Sequence, residues 1–199
     1  MAITGSAMES NIRSALNARG MMGVAVQPTS NAIGFAIATV LTGMSNAASI
    51  DTGIGPGAGS GIGQFTVVID SSLGGLITGK AQSYGLIGRY TQSYCYGVAE
   101  GIARTIRTGM TSTTHAPVAV GTGIGRVIGA ALSGGTVSGL IMGNMSANGM
   151  QGQYMPTLSR AIGEGFAAWV PSVVIQIMIS GAPGSPPVPT GGTGIGTIS

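Results

Sequence analysis

The stretch GGLITGKA, Gly74 to Ala81, sets glycines and a lysine at nearly the spacing of a phosphate-binding loop. In such a loop the backbone N–H groups cradle the phosphates, the lysine reaches the terminal ones, and a following Ser or Thr ligates magnesium. The apolar run TVVID precedes it, as that motif requires. But the hydroxyl position is Ala81, and the chain has only two aspartates, Asp51 and Asp70, with no further hydrophobic strand ending in a metal-holding Asp. GIGPGA, Gly53 to Ala58, spells a GxGxxG/A dinucleotide fingerprint, yet Pro56 interrupts it and no helix-start pattern follows. It reads as an extended glycine linker.

Cys95 and His115 are the only residues of their kinds. A Cys–His nucleophile pair needs the two in contact and a third group to orient the imidazole. Cys95 reads instead as a small buried side chain on a helix, and His115, in TSTTHAPV, as part of a connection. Glu100 and Glu164 could flank a site as two equivalent carboxylates. Arg104 and Arg160 stand four residues from them, at the spacing of intrahelical ion pairs. The 11 methionines are scattered over apolar positions, which suits adaptable packing. The expectation is therefore no catalytic residue, no cofactor and no metal: not an enzyme.

Composition points the same way. Charged residues are 7% of the chain, against about 25% in an ordinary soluble domain. Glycine accounts for 37 of 199 residues, more than twice the usual share of about 7%. Hydrophobic residues at 44% argue against ordinary disorder. The net charge of +3 comes from dispersed Lys and Arg with few aromatics, so no basic stripe for specific nucleic-acid binding forms. So little charge protects a lone monomer poorly. Much of the surface is expected to be covered by other copies, other proteins or lipid.

The elements that would position these residues recur. Ser14–Ala38, Gly79–Ala103 and Gly143–Ala167 align without gaps at offsets of 65 and 64. Gly20, Gly85 and Gly149 share one column, and Gly23, Gly88 and Gly152 another. Ile12, Ile77 and Ile141 share an apolar column, Ser30, Cys95 and Ser159 a small one, and Phe35 stands where Glu100 and Glu164 do. GSGIG, GTGIG and GTGIG follow at Gly59, Gly121 and Gly192. In the phosphate-loop frame, Asn144 replaces Lys80 in the third copy, so the glycines belong to the repeat and the lysine does not.

Each unit reads as a short helix, a GxxG turn, a longer apolar helix and a Gly-rich tail. Ala7 to Ala18 has the helical spacing, with Gly20 as the glycine past its end. The second helices are expected near 28–47, 92–110 and 156–180, with Pro171 kinking or shortening the last. Gln64 to Asp70 looks locally like a strand. The fold class expected is mainly α: three tandem helical hairpins of about 65 residues, pseudo-threefold, joined by extended connectors. The units are 1–66, 67–131 and 132–199, the last with a Gly/Pro-rich arm.

A pseudo-threefold chain of low charge suits a structural, self-assembling protein. The expectation is a virion component, of the kind found in a tailed-phage neck, tail or baseplate, partnered by its own copies and by other proteins of the assembly. The N-terminus lacks a signal-peptide pattern, which implies cytoplasmic synthesis before incorporation. Ile62, Ile124 and Ile195, with the six turn glycines, are the expected assembly contacts. The alternative is a small integral membrane or membrane-disrupting protein. Against spanning, the second helix of the middle unit carries Glu100, Arg104 and Arg107, which are costly in lipid.

Overall fold

The computed structural model describes residues 5–41, 45–54, 59–64, 72–108, 110–115, 120–128, 133–172, 174–180 and 189–198, with side chains over 5–39, 72–106 and 133–172. The described chain is mainly helical. It runs α1 (Gly5–Ala18), α2 (Val26–Leu41), β1 (Ser45–Ile54), β2 (Gly59–Gln64), α3 (Ser72–Ser83), α4 (Thr91–Thr108), β3 (Met110–His115), β4 (Val120–Ile128), α5 (Gly134–Ala147), α6 (Met155–Trp169), β5 (Val174–Ser180) and β6 (Pro189–Ile198). A 3-10 turn, Val170–Ser172, extends α6 and touches β4.

The helices follow from apolar spacing. Met8, Ile12 and Leu16 on α1, Leu73, Ile77 and Ala81 on α3, and Val137, Ile141 and Met145 on α5 are all buried, each four residues from the next. Ile33 and Ile37 on α2, Val98 and Ile102 on α4, and Ile162 and Phe166 on α6 face the same core. Each large side chain so buried contributes about 1.5–3 kcal/mol. Every helix packs on the one before and after it, and α6 packs back on α1, so the six form a closed ring around one core.

The three helix-to-helix turns are built alike. After α1 the Met21 N–H bonds to the Leu16 carbonyl at 3.1 Å and the Gly20 N–H to Asn17 at 3.0 Å. The same two bonds close α3 (Leu86 to Ala81, Gly85 to Gln82) and α5 (Met150 to Met145, Gly149 to Ser146). This is the Schellman arrangement, which needs a left-handed residue at the second-to-last position. Gly20, Gly85 and Gly149 supply it, at φ of 72°, 80° and 80°.

The Gly-rich connectors do more than link. Their strands pair antiparallel in chain order, and β6 pairs back on β1, closing a six-stranded barrel. Extended backbone must find partners for its N–H and C=O groups, and closure leaves no edge strand. In β2, β4 and β6 glycine takes every second place, at Gly59, Gly61 and Gly63, at Gly121, Gly123 and Gly125, and at Gly192, Gly194 and Gly196. These glycines therefore share one face of each strand.

The second helices end earlier than their apolar content predicts. Ser45 to Ala47 belong to β1, which pairs with β6 along its length. Met110 opens β3, whose threonines favour extended backbone. Past Pro171, VIQIMIS is strand β5, because proline breaks the helical ladder and the β-branched run takes up strand pairing. The strand reading of Gln64 to Asp70 lies outside the described residues beyond Gln64.

Candidate functional site

The geometry brings the three predicted GxxG turns to one end of the helical ring. A cavity of about 390 Å³ opens there, and Met21, Leu86 and Met150, one from each turn, line it. Tyr94 also lines it, and its hydroxyl is buried with no hydrogen-bond partner. That burial pushes the Tyr94 pKa well above 10. Around the cavity, Met22, Val24, Ile87, Tyr90 and Tyr154 stand exposed.

At most of the turn glycines an added side chain would find open space. A methyl at Gly20, Gly23, Gly85, Gly149 or Gly152 would meet nothing within 4 Å, and one at Gly88 would meet only Thr91 Oγ1, at 3.6 Å. Their work is conformational: Gly23 and Gly152 also have positive φ, 139° and 154°. The carbonyls of Gly23, Gly88 and Gly152 each accept the N–H that starts the next helix, from Val26, Thr91 and Met155.

Ile62, Ile124 and Ile195 lie in β2, β4 and β6. Ile62 is opposite Ile50 and Ser112, Ile124 opposite Thr114 and Gln176, and Ile195 opposite Ala47 and Met178. The backbone neighbours at these three positions are thus strands of the same chain.

Glu100 and Glu164 are brought to seams between hairpins. Arg160 Nε lies 3.3 Å from Glu164 Oε1, the expected intrahelical pair. Arg19, at the end of α1, also donates to Glu164, closing the last hairpin on the first. Glu100 accepts a hydrogen bond from Asn148 at 3.3 Å, joining α4 to the end of α5. At Phe35, in the same column, Lys80 sets its ammonium 4.2 Å from the ring centre. Arg19, Tyr84 and Asn148 are themselves spaced by 65 and 64, and Tyr84 flanks the same lysine. So an ion pair, an amide–carboxylate bond and a cation–π contact occupy corresponding places. The column arithmetic exposes both sets of residues, but not that the contacts cross from one hairpin to the next.

The remaining chemical candidates are separate. Gly74 to Ala81 lies within α3, so its N–H groups serve the helix rather than a phosphate cradle. Cys95 is buried on α4, and burial pushes its thiol up to about 11. A thiol held protonated is a poor nucleophile. His115 ends β3, opposite Gly59 and Gly123. GIGPGA enters β1 at Gly53 and Ile54 and continues outside the described residues. Among the described residues no group of three His, Cys, Asp or Glu is placed to hold a metal ion, and no helix is long and apolar enough to cross a membrane.

No protein-family model, curated protein or solved structure matches the chain.

Proposed function

We propose that this chain is a structural, self-assembling protein, a component of a virion such as the neck, tail or baseplate of a tailed phage. On this reading it is a tandem of three homologous units, 1–66, 67–131 and 132–199, arranged with pseudo-threefold symmetry, and it is not an enzyme. One observation carries the proposal: α6 returns to α1 through Glu164 and Arg19 at the place where Glu100 meets Asn148 and Phe35 meets Lys80. A chain closed this way offers partners three similar faces around one axis, as a trimer would. The low charge supports extensive contact with copies and other assembly proteins.

Native mass spectrometry with electron microscopy of the purified chain tests this. Rings or stacks of copies are expected, with threefold or sixfold character in the images. A chain that stays a soluble monomer at every concentration sinks the proposal.

A further inference from the structure

We infer that the turn end of the helical ring docks on a lipid surface bearing anionic headgroups. The inference rests on the described turns and does not depend on the virion reading. Three turns meet around one cavity, and each projects apolar or aromatic side chains outward: Met22 (80% exposed) and Val24 (96%) from the first, Ile87 (84%) from the second, and Tyr154 (60%) beside the third. Single prongs set among glycines and polar residues suit insertion into the headgroup boundary, where apolar groups gain burial without a shaped partner. Tyr84, Tyr90 and Tyr154 stand exposed on the same end, and tyrosine favours the membrane–water boundary.

Charge decides the class of surface. Residues 17–27, 82–92 and 146–156, which make the three turns, contain no Asp or Glu. Their two cations are Arg19 and Arg89. Arg19 is engaged by Glu164, which Arg160 also meets, Glu100 reaches this end through Asn148, and Lys80 lies beside Tyr84. Arg89 is exposed and lies 5.5 Å from the Tyr90 ring centre, placed to meet a phosphate on an opposing bilayer. Apolar and aromatic prongs around an exposed arginine are the complement of a bilayer boundary with anionic headgroups.

Flotation of the full chain with vesicles tests this, using phosphatidylcholine alone and phosphatidylcholine mixed with phosphatidylglycerol. The chain is expected to float with the mixed vesicles, less with phosphatidylcholine, and less in high salt. The triple variant Met22→Ser, Val24→Ser, Ile87→Ser should lose more than about tenfold in partitioning. Leu76→Ser, an exposed apolar residue on α3, should not change it. Arg89→Gln should narrow the difference between the two vesicle types. Should the triple variant misfold by circular dichroism, Val24→Ser alone must still weaken flotation. The inference is overturned if the native chain floats with neither vesicle or if the serine variants float as well as the native chain. It is equally overturned if those variants lose only self-association, which would assign the face to protein.

Discussion

Two seams of the helical ring differ by two methyl groups. Between α4 and α5, Gly97 and Gly101 let the backbones nearly touch: a Cβ on Gly97 would sit 2.5 Å from the Met145 Cα, and one on Gly101 2.6 Å from the Ile141 Cα. The corresponding residues of α2, which faces α3, are Ala32 and Ala36, both buried. The α4–α5 contact is the more extensive of the two. The seam from α6 to α1 is intermediate, with Ala161 but with Gly165, where a Cβ would lie 2.8 Å from the Ile12 Cα. Helix glycine here sets how closely one hairpin approaches the next, at the cost of about 1 kcal/mol in helix propensity.

Substitutions that make the close seam resemble the open one should have the largest effect. Gly97→Ala and Gly101→Ala each place a methyl against main-chain atoms, which cannot move as a side-chain end can. Each is expected to cost about 2 kcal/mol net, since overpacking exceeds the propensity gain. That lowers a thermal midpoint by about 4–8 °C for a cooperative chain of this size. Calorimetry of the single variants checks it. An unchanged or raised midpoint for Gly101→Ala would mean that the seam is looser than the described geometry.

The middle hairpin differs from its neighbours at one further buried point. Ser30 and Ser159 bond to carbonyls of their own helices, Ser30 to Val26 and Gln27 and Ser159 to Pro156, where Cys95 presents a thiol. Its pKa is raised by burial from 9.0 to about 11, so the folded state holds the proton more tightly than the unfolded one. The stability from this group is complete below pH 9, falls as pH rises above 9, and is lost by about pH 11. Tyr94, also raised by burial, adds to the loss from its ordinary value of 10 upward. Urea midpoints should therefore drop through this window, and Cys95→Ser should remove the part that begins at pH 9. Equal alkaline slopes in the two proteins would refute the cysteine's share.

The first helices supply the opposite case to the seam glycines. A methyl added at Gly79 on α3 or at Gly143 on α5 would meet nothing within 4 Å. Gly79→Ala and Gly143→Ala should each stabilise the chain by about 1 kcal/mol, through helix propensity alone. A loss at either site would reveal a contact on that outer face, as a partner in an assembly would make.

These glycines show how far spacing alone reaches. Column, helix and turn follow from it: Gly20, Gly85 and Gly149 are legible as helix-ending residues because only a left-handed position requires glycine there. The close-contact glycines are not distinguishable from the open ones, since Gly101 and Gly79 look alike until the facing helix is known. The barrel is hidden for a related reason. GTGIG has too few side chains to show strand alternation, and its pairing energy lies in the backbone. The second helices read too long because apolar content at Val174 to Ile179 is the same in a helix or a strand. Met22 and Ile87 fall inside the GxxG turns and Val24 just past the first, but spacing alone does not show that their side chains face outward.

The smallest effect expected is at the polar ends of the same seams, where three chemistries do one job. Glu164 and Arg19 are 39% and 22% exposed, so water and salt weaken their attraction, and a pair of this kind contributes about 0.2–1 kcal/mol. Glu164 also meets Arg160, so removing its charge releases two contacts on one helix face. Glu164→Gln keeps the shape and should lower stability by no more than about 1 kcal/mol at low ionic strength, with the difference shrinking as salt is added. Lys80→Gln at the Phe35 seam removes a cation held over a ring, worth about 0.5–1 kcal/mol at an exposed site. Denaturation of both variants at low and high salt separates the contributions. If Glu164→Gln costs as much as the glycine substitutions, the last hairpin is held to the first chiefly by charge. If it costs less than Lys80→Gln at every salt concentration, close packing of Gly165 on Ile12 carries the closure, and Arg19 serves mainly to orient the end of α1.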